Sequence, residues 1–186
     1  QDKTASQMLK DPIFYVMFIM LICGAFFGLM MISQCSLVSQ NMIGMSAATA
    51  ATTVSVLAIF NAIGRVVCGT ISDKLGRINT MAICLVIAII GLLLVWKSGS
   101  GTPSMALYIV GVCMVGLCFG AYMGVYPGFT ADQFGAKNNG VNYGVMFIAF
   151  SVAGILGPMI MSNTYASSGS YSTAILIALG LAIVGF

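Results

Sequence analysis

The chain has 186 residues, 60% hydrophobic and 6% charged, against ~25% charged in an ordinary soluble domain, so lipid is the solvent for most of its surface. Net charge is +3 on seven scattered basic residues, which excludes a nucleic-acid surface. Histidine and glutamate are absent and the four aspartates (Asp2, Asp11, Asp73, Asp132) lie outside the apolar runs, so no metal, no cofactor and no enzyme activity is expected.

Residues 1–11 are polar, with Lys3, Lys10 and Asp11, and have the character of a short interfacial helix on the cytoplasmic side. Pro12 suits a first helical turn, where its missing N–H does no harm. The remainder, 12–186, divides into six apolar spans. The first, 13–33, is uncharged and long enough to cross ~30 Å of hydrocarbon. Residues 34–46 (with Gln34, Gln40 and Asn41) are expected as a linker. The second span, 47–71, contains Arg65, and residues 72–79 form a charged turn. The third, 80–96, is the most uniformly aliphatic, and Lys97 to Ser104 is a loop. The fourth, 105–129, carries Pro127 near its end, and 130–142 is a polar loop with Asp132 and Lys137. The fifth, 143–165, is expected to break or kink near Pro158. The last, 171–186, stops short of a full crossing. The start at Gln1, the absence of a secretory signal and the end within a span suggest a piece of a longer protein.

Six spans put both ends on one side. Lys3, Lys10, Lys74, Arg77 and Lys137 fall there, and Lys97 on the other, so the positive-inside rule places both ends in the cytoplasm of a multi-pass protein of the cell (inner) membrane. Cys23, Cys68, Cys84, Cys113 and Cys118 lie inside spans and Cys35 near a loop. With no C-x-x-C spacing, they are expected as small packing groups. Gly116, Gly120, Gly124 and Gly128 recur every fourth residue down the fourth span, and Gly24 and Gly28 repeat the spacing in the first. Such stripes let helices approach closely in lipid, as a static or a sliding contact.

Arg65 is the one charge inside an apolar run. Even the mildest scale sets the cost of a charge at membrane depth at ~2.5 kcal/mol, so an ionisable residue there points to function. Asp73 lies eight residues on, which places Arg65 roughly 12 Å deeper along the helix. Snorkelling to the headgroups is the alternative use of so long a side chain. Asn61, one turn back, with Ala58 and Ala62, makes a face of small residues and one amide, with room for a guest. The guanidinium fork matches a carboxylate, and no acid lies in the spans, so the countercharge is either a side chain from a missing part of the protein or a small organic anion, of which the anion is the favoured partner. Tyr122, Tyr126, Phe150 and Ser151 are candidates to complete the pocket, with Tyr122 as second donor. Ordinary packing is the alternative for each, and the better one for Tyr126.

Gly69-Thr-Ile-Ser-Asp73-Lys74-Leu-Gly76-Arg77 resembles the loop signature of the major facilitator superfamily, G-x-x-x-[DS]-D-[RK]-x-G-R. Asn61-Ala-Ile-Gly-Arg65 and the stretch from Asn142 to Pro158 resemble the oxalate/formate antiporter family within it. The resemblance implies an all-α membrane protein, here the C-terminal half (helices 7–12), a three-plus-three repeat. By it, Arg65 matches the eighth-helix arginine that holds substrate carboxylate, and Tyr122 falls on the tenth-helix face lining the cavity. It also implies that Asp73 caps a helix of the missing N-terminal half, with Lys74 and Arg77 in the same cytoplasmic latch.

Two departures bear on substrate. Monocarboxylate porters have a proton-coupling aspartate where this chain has Asn61, and oxalate-selective members add a lysine near Phe150. One cation favours a monocarboxylate such as formate, lactate or pyruvate over oxalate. The expected function is secondary transport of such an anion by alternating access. The alternative is a non-transporting membrane scaffold or sensor whose Arg65 pairs with another subunit.

Overall fold

The structure, a computed structural model, describes residues 2–186, and every regular element among them is a helix. In chain order they are α1 (Ala5–Met8), α2 (Pro12–Asn41), α3 (Ala47–Leu75), α4 (Arg77–Ser98), α5 (Met105–Phe134), α6 (Asn139–Met146), α7 (Ile148–Ser168) and α8 (Ser172–Val184). Five segments are long and apolar enough to cross a membrane: α2, α3, α4, α5, and α6 with α7 together. The apolar α8 is shorter.

Several helices run further than the hydropathy pattern suggests. The Asp11 side chain accepts from Ile13 N at 3.0 Å and caps α2, with Pro12 at the first helical position. α2 then continues through the expected linker to Asn41. Its polar residues there bond back along their own helix, Ser39 Oγ to Cys35 O at 2.7 Å and Gln40 Nε2 to Ser36 O at 3.3 Å, so polarity gives no reason to stop. Cys35 is accordingly not near a loop but buried inside α2, its Sγ 3.7 Å from Tyr108 Oη. The charged turn expected over 72–79 shrinks to Gly76, whose φ of +86° only glycine adopts cheaply. The fifth span breaks at Phe147, between α6 and α7, and α7 carries Pro158 inside it.

Glycines set the helix contacts. A Cβ added at Gly116, Gly120 or Gly124 would sit 2.9 Å from Leu57 O, 2.0 Å from Asn61 O or 2.3 Å from Arg65 O. The stripe on α5 is therefore pressed against the α3 backbone. Gly64 answers from α3, its added Cβ falling 2.0 Å from Leu117 O. Gly24 and Gly28 on α2 receive the rings of Tyr122 and Phe119.

α2 and α5 are the most enclosed spanning helices; α3 and α6–α7 are the least, with 22% and 28% of their most apolar windows buried against 56% for α2 and α5. The open side of the bundle thus belongs to α3 and α7. At one end Lys3 N donates to Phe134 O at 2.8 Å, and Asn138 and Asn142 donate to Lys3 O at 3.1 and 3.0 Å. Arg77 reaches Asp132 at that same end of α5. At the other, Gly99 lies against Met42, and Asn41 Nδ2 donates to Tyr171 Oη at 3.3 Å.

Candidate functional site

Arg65 is exposed on the open side of α3, and Gly124 seats its backbone against α5. Its Nε donates to Asn61 Oδ1 at 3.0 Å, across one helical turn. Among the described residues that is its one hydrogen bond, and no carboxylate lies within 4.0 Å; the ion pairs are Lys3–Asp11, Arg77–Asp73 and Arg77–Asp132. Asn61 therefore engages Nε, and the two terminal nitrogens make no hydrogen bond among the described residues. A cleft of about 330 Å³ opens beside them, lined by Ile32, Val54, Leu57, Ala58, Asn61, Ala62 and Arg65. A guanidinium fork beside an aliphatic wall can bind a planar carboxylate through two parallel N–H···O bonds.

The other sequence candidates lie elsewhere. Tyr122 is wholly buried, its ring against Gly24, edge-on to Phe27 at 6.3 Å and stacked on Tyr126 at 5.9 Å. Its hydroxyl has no partner among the described residues. Tyr126 donates to Met17 O at 2.8 Å and is an interior packing group. Phe150, half-buried, stacks on Phe119 at 6.0 Å and Phe147 at 4.6 Å, and Ser151 is exposed on α7. Neither Tyr122 nor Phe150 lines the cleft. Helical period supplies the reason for Tyr122: two residues from Gly120 is roughly 200° around α5, so the face opposite α3 carries the ring. Tyr143 on α6 is half-buried and was not among the candidates. Its place in the Asn142-to-Pro158 stretch was the available signal.

The loop signature forms a clamp around Arg77. Its NH1 lies 2.7 Å from Asp73 Oδ1 and its Nε donates to Asp132 Oδ2 at 3.0 Å, while the guanidinium also bonds the Ser72 hydroxyl and lies over Gly128. Asp73, expected to cap a helix of another half, is engaged here by Arg77 of its own chain. Gly69 approaches Gly124, its added Cβ 3.5 Å from Gly124 O; Gly76 makes the hinge, and Lys74 is exposed with no ion pair among the described residues. The role of Asp132 was not legible, because it joins the signature from 55 residues away.

Comparison with known proteins gives a consistent result. A family model described as Major Facilitator Superfamily matches residues 2–158. The chain is 27% identical over 155 residues to the uncharacterized MFS-type transporter YhjX of Escherichia coli (strain K12), covering 83% of this chain and 38% of that protein. It is 27% identical over 191 residues to the oxalate:formate antiporter of Oxalobacter formigenes, covering 100% of this chain and 44% of that protein. It is also 27% identical over 182 residues to the MFS transporter asaE of Aspergillus flavus, covering 96% and 40%. The chain thus spans about two fifths of the length of these relatives.

Proposed function

The chain belongs to the major facilitator superfamily, and from that premise we propose that it is the C-terminal half (helices 7–12) of an alternating-access carrier for a small organic carboxylate, with Arg65 as the group that holds the carboxylate. The partner is an N-terminal half of the same protein, docked against the open α3–α7 side. Facilitator substrates bind near the midplane between two such halves, which rock about the site. Both ends of the chain face the cytoplasm across the cell (inner) membrane, as the concentration of basic residues at one end of the bundle favours.

One observation carries the reading: a guanidinium on an apolar spanning helix, with no ion pair among the described residues, beside a cleft. A charge there needs a partner, and a bound anion supplies one. With a single cation on this face, a monocarboxylate such as formate, lactate or pyruvate fits better than oxalate, whose second charge would lack a donor. The named substrates of the Oxalobacter relative, oxalate and formate, support the carboxylate class. Asn61 cannot titrate, so that position takes up no proton with the anion, which favours exchange of one anion for another.

The test is uptake of labelled lactate and labelled oxalate into proteoliposomes containing the intact protein. Arg65→Gln should lower lactate exchange at least about thirtyfold, the loss expected when one partner of a desolvated charge pair is removed. Yield and melting temperature should be unchanged. Full transport by the Gln variant, or a loss of assembly alone, would overturn the assignment.

A further inference from the structure

We propose that the cleft beside Arg65 has a second part, an aliphatic subsite formed by Ile32, Val54 and Leu57, which selects monocarboxylates with a short hydrocarbon body over formate and over dicarboxylates. This rests on carboxylate binding at Arg65 and names which carboxylate. At about 330 Å³ the cleft is at the small end of ligand sites, which run from ~300 to ~1,000 Å³. It is still far larger than one carbon and two oxygens require. Arg65 and Asn61 are its polar lining residues, and Asn61 Oδ1 is already engaged by Arg65 Nε. Everything beyond the fork is aliphatic: Ile32 from α2, Val54 and Leu57 from α3, with the small Ala58 and Ala62 leaving the space open.

This lining discriminates by chemistry. Formate satisfies the guanidinium and leaves the wall wet. A dicarboxylate satisfies it and sets its second carboxylate against Val54 and Leu57, where no donor is present and desolvation is costly. A propionate- or butyrate-like anion covers the wall with methylene groups, each of which strengthens binding about fourfold.

Calorimetric titration of the purified intact protein at neutral pH, with formate, acetate, propionate, butyrate and oxalate, tests this. Affinity should climb about fourfold per carbon until the cleft is full, and oxalate should bind no better than acetate. Val54→Ala should flatten the climb, with the largest loss for butyrate. Ala58→Leu, on the exposed side of α3, should abolish the gain for butyrate while sparing formate. A flat series, or oxalate binding best, in a protein whose Arg65→Gln variant binds none of them overturns the aliphatic subsite alone. An unchanged series in the Arg65→Gln variant overturns the carboxylate assignment itself. If Ala58→Leu does not fold, the Val54→Ala series decides.

Discussion

At the scale of single residues, the Asn61–Arg65 pair is the feature with the most consequence. The amide takes one guanidinium N–H and gives back no charge, so the arginine stays a full cation. An aspartate in the same place would hold the same geometry and cancel the charge a guest would otherwise meet. Asn61→Asp should therefore weaken anion affinity at least about tenfold at pH 7, the cost of one charge-assisted hydrogen bond. Protonating the new carboxylate would restore a neutral neighbour, so affinity should recover as pH falls. Asn61→Gln, which keeps the amide, should lose less. The pH profile of binding separates the two variants, and equal profiles would rule out the neutral-amide argument. This pair was legible in the sequence, because four residues on one helix make neighbours. The place of Tyr122 was less legible, because its ring lies on the α5 face turned to α2, away from α3.

At the scale of elements, contact between α3 and α5 decides where the cleft lies. Three carbonyls of α3 (Leu57, Asn61 and Arg65) rest on Gly116, Gly120 and Gly124, so a methyl group has no room at those positions. Gly124→Ala should force α3 outward, destabilise the bundle by ~1–3 kcal/mol and lower its melting temperature in detergent. It should also weaken anion binding, since Arg65 moves with the displaced backbone. Gly144→Ala, where an added Cβ meets nothing, is the control. The glycine stripe was plain in the sequence, but its partner was not. A four-residue spacing shows that a face is flat, while only the folded chain shows that α3 covers it. A helix start was legible at Pro12, which suits a first turn, whereas the ends around Gly76 were missed because the charged residues on either side continue their helices. Ends were also missed where serines and Gln40 bond back to their own helix, as in residues 34–41.

At the scale of the whole molecule, the amino-terminal segment ties the start of the chain to the far end of α5. Asp2 accepts from Lys137 N at 3.2 Å, Lys3 bonds the α5–α6 connection from both sides, and the Lys3 ammonium pairs with Asp11. The Lys3 bond, with the Ile13 N–H, holds the Asp11 carboxyl below its ordinary value of 3.8. A depressed carboxyl pKa contributes stability that is present above pH 3.8 and is lost as pH falls through the lower folded value. Hydrogen-exchange protection in detergent should therefore show residues 2–11 opening more readily at pH 3 than at pH 7, and Lys3→Met should reduce that pH dependence, leaving the part due to the Ile13 N–H. Equal protection factors at both pH values would refute the tie. Nothing in the sequence announced it, because its partners lie some 130 residues apart.

The ridge of α5 has a further consequence. It carries two arginines in succession, seating the Arg65 backbone at Gly124 and the Arg77 guanidinium at Gly128, about 6 Å further along. The first contact is peptide against peptide and cannot yield without moving the whole rod. The second is a side chain held by ions and can let go alone. Prising apart the Arg77 end would thus leave the anion's seat unstrained, so in the proposed carrier latch and seat can fail independently.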